Sequence, residues 1–287
     1  MKQICHLALV ALFAFVIAPY RSQGADARHE PLTAILGAMP IEVQLLETQL
    51  KDKQSQQLLN VTVYTGTLNG RKVVLAASGV GKVNAAMTTT LMLDHFQPTE
   101  VLFTGVAGGI SPELGPGDVV LGEKTMQHDY GKITGQVYES DATKDPSGKP
   151  NPQFFPCAAQ LLSVARAAAK DAVLDKVPTT QGERLPHVRR GVIVTGDMFV
   201  ASPAKSAELR QNFGADAVEM EGAAVAQVCW QQNVPCLVIR CVSDKADAMA
   251  AEDFKRFVQT AAVNSAKLTL AIIERLGKTP AEPALAR

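Results

Sequence analysis

Short apolar runs along the chain alternate with longer segments whose apolar residues recur at helical spacing. Strands are predicted where valine, isoleucine, leucine and alanine dominate a short run, at 33–40, 61–67, 72–77, 101–109, 119–121, 191–195 and 234–242. Helices are predicted to begin near residue 42 and directly after Gly222, and to cover 85–96, 161–177 and 252–276. This alternation predicts a single α/β domain with a central, largely parallel mixed sheet flanked by helices.

The connections between these elements carry further signals. Asn69-Gly70 lies between two predicted strands and is the strongest short signal for a β-hairpin. The segment 131–156 is polar and rich in proline, which indicates a surface lid or excursion within the domain. We also predict a polar link at 179–188 and a short strand at 213–218.

The first 27 residues have the pattern of a secretory signal peptide. Lys2 precedes an apolar stretch at 7–18. Ala25-Asp26-Ala27 fits the cleavage pattern, in which two small residues flank one residue of any type. The apolar stretch is shorter than the roughly 20 residues that a membrane-spanning anchor needs. We therefore predict a cleaved signal at 1–27, a folded domain at 28–278, a flexible tail at 279–287, and a periplasmic or secreted protein without stable membrane contact.

Composition and charge narrow the class of ligand. Of 287 residues, 47% are hydrophobic and the formal net charge is zero. A neutral chain offers no electrostatic attraction to nucleic acid or to an anionic membrane surface. A small molecule is therefore the expected partner.

Four cysteines remain after the predicted signal is removed. Cys229, Cys236 and Cys241 lie in apolar surroundings, where a thiol acts as a small hydrophobic side chain. Export would permit disulfides among them and Cys157. Their spacing matches no zinc motif, so we predict neither a metal nor another cofactor.

Two carboxylates stand at a predicted strand-to-helix junction in the run Ala217-Val218-Glu219-Met220-Glu221-Gly222. Ligands of open α/β sheets bind at such junctions, where strands end. An acid in a first helical turn is also favoured by the helix dipole alone. Either explanation accounts for Glu219 and Glu221 taken by themselves.

Other strands also end in polar or glycine-rich groups. These groups are Glu42, Ser78-Gly79, Phe199 and Ser243-Asp244. Glycines at 79 and 81 let backbone N–H groups approach a ligand at a helix start, although the spacing is not that of a P-loop. Arg240 lies inside an apolar strand and requires a carboxylate or a polar site as its partner. Strand ends of this kind, brought together, would form one cleft.

These motifs resemble the nucleoside phosphorylase and nucleosidase superfamily, and most closely its methylthioadenosine/S-adenosylhomocysteine nucleosidases. The matching runs are Leu36-Gly37-Ala38-Met39 with Glu42-Val43, Ser78-Gly79-Val80-Gly81-Lys82-Val83-Asn84-Ala85-Ala86, Thr104-Gly105-Val106-Ala107-Gly108-Gly109, Gly117-Asp118-Val119-Val120, Thr195-Gly196-Asp197, Val218-Glu219-Met220-Glu221-Gly222 and Arg240-Cys241-Val242-Ser243-Asp244-Lys245-Ala246-Asp247. The resemblance covers about residues 33–275 and implies the nucleoside phosphorylase-like fold.

The resemblance also implies roles near the sugar. Glu42 would be the general base that deprotonates the attacking water, helped by Ser78 and Arg240. Glu221 would bind the ribose hydroxyls. Met220 would lie against the ribose face, and Met39 is a further implied substrate-binding residue.

For the purine and the 5′ group, the resemblance implies a second set of residues. Phe199 would stack on the purine, and the backbone of Val200 would read its edge. Asp244, held by Ser243, would protonate N7 of the leaving adenine. Phe254 would line the 5′ pocket. Family members are commonly homodimers, so a homodimer is implied as well.

Three functions are compatible with these residues. Hydrolysis of 5′-thio-substituted adenosines is favoured, because 76–79 contains no arginine to hold phosphate and Glu42 would repel a dianion. A phosphate-dependent purine nucleoside phosphorylase is the second. The third is a nucleoside-binding or storage protein, which would have no need of Glu42, Glu221 and Asp244 together.

Overall fold

Fourteen strands and six helices form in the part of the chain that the computed structural model describes, residues 30–179 and 182–278. The strands are β1 (Leu32–Gly37), β2 (Lys51–Leu58), β3 (Val61–Leu68), β4 (Arg71–Ala77), β5 (Glu100–Gly109), β6 (Val119–Gln127), β7 (Gly131–Thr134), β8 (Val137–Ser140), β9 (Phe155–Pro156), β10 (Val177–Thr179), β11 (Gly182–Arg184), β12 (Val188–Thr195), β13 (Ala217–Glu219) and β14 (Cys236–Asp244). The helices are α1 (Pro40–Gln49), α2 (Lys82–Phe96), α3 (Ala159–Ala169), α4 (Pro203–Phe213), α5 (Gly222–Gln231) and α6 (Ala250–Lys278). The predicted signal peptide and the predicted tail lie outside the described residues.

Ten of the strands form one mixed sheet. Nine of them follow the order β13-β12-β6-β14-β5-β1-β4-β3-β2, and β9 pairs with β6. Strand β13 also pairs with β5, so β13, β12, β6, β14 and β5 close into a ring. Parallel pairing joins β1 to β4 and β5, and β5 to β14, whereas β6 and β14 are antiparallel. The predicted α/β fold with a central mixed sheet is confirmed.

Helices cover the sheet on two sides. Apolar residues of α1, α3 and α6 pack in one buried cluster with strands of the sheet. Residues of α2 and α5 pack in a second buried cluster that includes Phe103 and Val238. Strands buried on both faces explain why β1, β5 and β14 are apolar almost throughout.

Two local predictions are confirmed at the start of the fold. Asn69 and Gly70 both adopt positive φ values, 47° and 82°, as a two-residue hairpin turn between β3 and β4 requires. Glu42 lies in the first turn of α1, where its carboxylate accepts a hydrogen bond from the N–H of Met39 (2.7 Å). That bond is the return half of a capping box.

The prediction for 213–218 was wrong at its start. Phe213 ends α4, a helix that was not predicted, and strand β13 begins only at Ala217. Gly214 ends the helix with a φ of 65°. The signal was present in the sequence, because Ser202 caps the helix through the N–H of Lys205 (3.3 Å) and a proline follows the cap.

The predicted helix at 161–177 is shorter than expected. It ends at Ala169, and Val177 instead begins β10, which pairs with β11 within the predicted polar link. Pro178 accounts for part of this difference, because the residue before a proline is disfavoured in helical conformation.

Polar strands were the other elements that the pattern did not reveal. Strand β2 is exposed along most of its length and is held at the edge of the sheet by pairing with β3. The predicted excursion at 131–156 contains the hairpin β7–β8 and the short strand β9, so much of it is regular. Backbone pairing stabilises β2, β7 and β8 although their side chains bury little apolar surface, whereas Phe155 of β9 is buried.

The four described cysteines are free thiols. Cys229 and Cys241 are buried in the core, whereas Cys157 and Cys236 are partly buried. Burial raises the pKa of the Cys157 and Cys241 thiols, which therefore stay protonated. Among the described helices, none has the apolar length that a membrane crossing requires.

Candidate active site

A cavity of about 180 Å³ lies where β1, β5, β13 and β14 end. Gly108 of β5 is the meeting point, because it pairs with Val218 on one side and with Asp244 on the other. A Cβ atom at Gly108 would lie 3.0 Å from Asp244 Oδ1 and 2.9 Å from Ala246 Cβ. Glycine therefore allows the two neighbouring strand ends to approach each other.

Eight of the eleven predicted site residues line this cavity. They are Met39, Glu42, Phe199, Met220, Glu221, Ser243, Asp244 and Phe254. The remaining lining residues are small or apolar, apart from one further acid: Ala38, Val80, Val106, Ala107, Gly108, Val218 and Glu219. The fold thus brings together side chains from opposite ends of the sequence.

Glu42 is buried and held at both carboxylate oxygens. Its Oε2 accepts from Met39 N–H (2.7 Å) and its Oε1 accepts from Val106 N–H (2.9 Å). Burial raises the pKa of Glu42, while the positive charge of Arg240 and these N–H groups partly offset that rise. Glu42 therefore caps its helix and also presents an oriented carboxylate to the cavity.

Arg240 lies fully buried behind the cavity, among three glutamates. Its Nε donates to Glu219 Oε2 (3.0 Å), and its Nη2 contacts the same oxygen and Glu221 Oε2 (3.5 Å). Its guanidinium carbon lies 4.3 Å from the ring centroid of Phe103. The prediction that Arg240 needs a carboxylate partner is confirmed, and that partner is Glu219.

Glu219 organises the junction between β13 and α5. It accepts hydrogen bonds from the Thr195 hydroxyl, from Gly222 N–H (2.7 Å) and from Glu221 N–H (3.2 Å), besides those from Arg240. A structural role therefore accounts for Glu219, although its carboxylate caps the N–H of Gly222 from the end of β13 and not from a first helical turn. This structural role does not apply to Glu221, whose carboxylate lines the cavity and bonds a different loop.

Glu221 has a strongly raised pKa. Its Oε1 accepts from the N–H of Gly81 (2.8 Å), which follows β4. Burial and the neighbouring charge of Glu219 raise the pKa of Glu221 to about 7, against partial compensation by Arg240. Near neutral pH this carboxyl group is therefore poised between its protonated and ionised forms.

Asp244 ends β14 and is held by its own loop. Its Oδ2 accepts from the Ser243 hydroxyl (2.8 Å) and its Oδ1 from Ala246 N–H (2.9 Å). Burial raises the pKa of Asp244, and the two hydrogen bonds offset part of the rise. A carboxyl group with a raised pKa is suited to act as a general acid.

Two aromatic rings complete the wall of the cavity. Phe199 follows β12 and is 50% exposed, and its ring meets that of Phe254 edge to face at a centroid distance of 5.9 Å. Their apolar faces offer a stacking surface for a flat ligand.

Three predicted site residues do not line the cavity. The Ser78 hydroxyl donates to the carbonyl of Gly79 (2.9 Å), Val200 packs in a buried cluster with β12, and Arg240 lies behind its carboxylates. Nη1 of Arg240 has no hydrogen-bond partner among the described residues. A Cβ atom on Gly105 would overlap this nitrogen and would lie 2.5 Å from Glu42 Oε1, so glycine keeps the two groups close.

The sequence did not reveal several contributors to the site. The N–H of Gly81 holds Glu221, and an ion pair between Lys82 and Asp129 lies just behind it. Thr195-Gly196-Asp197 was recognised as a motif without a role, whereas nothing in the local pattern marked Asp129. Within residues 30–179 and 182–278, no group of three or more histidine, cysteine, aspartate or glutamate side chains is arranged to hold a metal ion.

Comparison with known proteins agrees with this geometry. The family described as the phosphorylase superfamily matches residues 33–274. A 5′-methylthioadenosine/S-adenosylhomocysteine nucleosidase of Anoxybacillus flavithermus is 38% identical over 252 residues, which cover 85% of this chain and 99% of that protein. The chain belongs to this nucleosidase family of the phosphorylase superfamily.

Solved structures of the family extend the comparison. The Neisseria meningitidis nucleosidase in complex with methylthio-immucillin-A is 38% identical, with a TM-score of 0.73 over 85% of this chain and 98% of that one. The Colwellia psychrerythraea nucleosidase in complex with adenine is 35% identical, with a TM-score of 0.75 over 86% and 96%. A futalosine hydrolase of Helicobacter pylori is 31% identical, with a TM-score of 0.71 over 85% and 98%.

Proposed function

We propose that this protein hydrolyses the N-glycosidic bond of 5′-thio-substituted adenosines, methylthioadenosine and S-adenosylhomocysteine, and releases adenine. The observation that carries the proposal is that Glu42, Glu221 and Asp244 line one small cavity together with an aromatic pair. The names of the most similar relatives support the choice of substrate.

The chemistry follows from where charge develops when the bond breaks. The sugar becomes positive and the purine becomes negative, so a carboxylate is needed beside the ribose and an acid beside the base. Glu221 serves the ribose in this scheme, and Asp244, with its raised pKa, donates a proton to the purine. The hydrogen bonds that Asp244 accepts from the Ser243 hydroxyl and from Ala246 N–H fix the orientation of its carboxyl group.

Glu42 activates the attacking water in this scheme. Both of its oxygens are oriented by backbone N–H groups, and its raised pKa makes its carboxylate a stronger base. Gly105 has no side chain and so lets Nη1 of Arg240 lie close to Oε1 of Glu42, where the positive charge of the guanidinium favours the ionised form of the base. General acid–base assistance of this kind contributes about 10²–10⁴-fold for each group.

The charges of the cavity favour water over phosphate as the nucleophile. No lysine or arginine occurs among its described lining residues, whereas Glu42, Glu219, Glu221 and Asp244 all do. Arg240 is already paired with Glu219. A phosphate dianion would meet repulsion there without a free cation to bind it, so the phosphorylase alternative is disfavoured.

Product analysis tests the proposal. Methylthioadenosine, S-adenosylhomocysteine, adenosine, inosine and futalosine are each incubated with the protein, with and without phosphate, and the free base is measured. We expect adenine from the two thio-substituted substrates at a rate independent of phosphate. A rate that requires phosphate would establish the phosphorylase alternative, and tight binding without turnover would establish the binding-protein alternative.

Two substitutions test the assigned roles. Glu42→Gln and Asp244→Asn should each lower kcat by about 10²-fold or more, because each removes one proton-transfer group. Glu252→Gln, an exposed acid outside the cavity, is the matched control and should leave kcat unchanged. Retention of hydrolysis within about tenfold in either site variant would contradict the mechanism.

We further propose that the protein is exported, with cleavage after residue 27, and works in the periplasm or outside the cell as a homodimer. The signal-like pattern at 1–27 supports export. The exposure of Phe199 supports a neighbouring subunit that covers the aromatic wall of the cavity. N-terminal sequencing of the mature protein and sedimentation analysis test the two points. An intact N-terminus or a purely monomeric profile would overturn them respectively.

A further inference from the structure

Asp129 connects two loops beside the cavity without lining the cavity itself. It follows β6, and its Oδ1 accepts a hydrogen bond from Lys82 Nζ (2.6 Å). Its Oδ2 accepts from the N–H of Asp197 (2.9 Å). The side chains of Lys82 and Asp129 are only 18% and 19% exposed, so this ion pair is shielded from water and is stronger than a typical surface pair.

Asp197 itself bonds to the start of α2. Its Oδ1 accepts from the backbone N–H of Lys82 (2.8 Å), at the first residue of α2. The preceding N–H, that of Gly81, donates to Glu221 (2.8 Å). Gly81 has a φ of 96°, and a Cβ atom there would lie 3.2 Å from Asp197 Oδ1. Two successive N–H groups of one turn therefore bind Asp197 and Glu221.

The two loops joined in this way both contribute walls of the cavity. Val80 comes from the loop after β4, and Phe199 comes from the loop after β12. Although partial burial disfavours its charge, the hydrogen bonds from Lys82 and Asp197 lower the pKa of Asp129. The carboxylate is therefore ionised at neutral pH and available to both donors.

We propose that Asp129 is a positioning residue. It fixes the turn at Gly81 relative to the loop that carries Phe199, so that Glu221 and the aromatic wall can contact the same substrate. The predicted effect of Asp129 on the kinetics rests on the proposed nucleosidase function. The predicted ordering of the two loops in the free protein does not depend on that function.

The test combines kinetics with hydrogen exchange on the full-length protein. Asp129→Ala should raise KM for methylthioadenosine by about tenfold or more and also lower kcat, because misplacement of Glu221 and of the aromatic wall weakens both substrate binding and the support of the charge that develops on the ribose. Amide exchange should accelerate at 79–82 and 196–200. Lys82→Met removes only one of the two contacts, so its effect should be smaller, and the double variant should resemble Asp129→Ala.

A matched control removes an ion-paired carboxylate elsewhere. Asp175 pairs with Lys267 (2.5 Å) away from the cavity, and Asp175→Ala should change neither KM nor exchange at the two loops. If Asp129→Ala fails to fold, Asp129→Asn keeps an acceptor oxygen and should show an intermediate KM and intermediate exchange.

Unchanged KM and unchanged loop exchange in the Asp129 variants would overturn the positioning role, even if their melting temperature fell. If the wild-type protein shows no turnover, the proposed function fails, and exchange at 79–82 and 196–200 decides the positioning role alone. Faster exchange confined to those loops would then support it, and wild-type exchange would refute it.

Discussion

Glu221→Gln is the most informative single change for the electrostatics of the cavity. Burial and repulsion by Glu219 raise the pKa of Glu221 from 4.5 to about 7 in the folded protein. The folded state therefore binds a proton more tightly than the unfolded chain does. Stability from this group is fully present at low pH and is lost as the pH rises through the interval from about 4.5 to about 7.

The size of the effect follows from the two pKa values. Between about pH 5 and about pH 8, a shift from 4.5 to about 7 lowers the free energy of unfolding by about 2–3 kcal/mol. A glutamine at 221 keeps an oxygen for the N–H of Gly81 but carries no charge. The variant should therefore lack this part of the pH dependence, and its stability relative to wild type should increase by about 2–3 kcal/mol over that interval.

Urea unfolding measures the prediction. The fluorescence of the single tryptophan is followed for both proteins at one fixed protein concentration, at several pH values between about 5 and about 8. Glu252→Gln is the exposed control and should follow the wild-type curve. Parallel pH profiles for wild type and Glu221→Gln would refute the reasoning, because they would show that Glu221 titrates alike in the folded and unfolded chain.

Three further substitutions test the packing around the cavity. Gly105→Ala should destabilise the protein by about 1–3 kcal/mol and reduce activity, because its Cβ would displace Arg240 from Glu42; an unchanged melting temperature and kcat would contradict this. Arg240→Met should cost about 3–5 kcal/mol in urea unfolding, because Glu219 loses its buried counter-charge, and a loss below about 1 kcal/mol would contradict it. Phe199→Leu should raise KM for methylthioadenosine by about tenfold through lost ring contacts worth about 1.5 kcal/mol, and an unaltered KM would exclude a stacking role.

The strands of the central sheet could be predicted because a strand that is buried on both faces requires apolar side chains at successive positions. This held for β1, β5, β12 and β14. The turn at Asn69-Gly70 was predictable for a different reason, since positive φ at both positions restricts the residues that fit.

Elements stabilised mainly by backbone pairing escaped prediction. Strand β2 and the hairpin β7–β8 are largely exposed, so their side chains carry little of the signal that periodicity detects. Helix α4 had a readable cap at Ser202, but its apolar face is narrow, with only Ser206 and Leu209 buried. Strand β2 pairs with β3 and β7 pairs with β8, so backbone hydrogen bonds to the next strand along the chain define these strands and not buried side chains.

The sequence by itself determined the family, the order of the strands and helices of the core, and most of the side chains that line the cavity. It could not assign their electrostatic roles, because a charge is defined by what surrounds it. Glu219 and Glu221 are two residues apart, yet one is fixed by Arg240 and the other faces the cavity with a pKa of about 7. Lys82 forms an ion pair with Asp129, which is 47 residues away in the sequence. Only the tertiary structure decided these partnerships, since burial and distance exist only once the chain is folded.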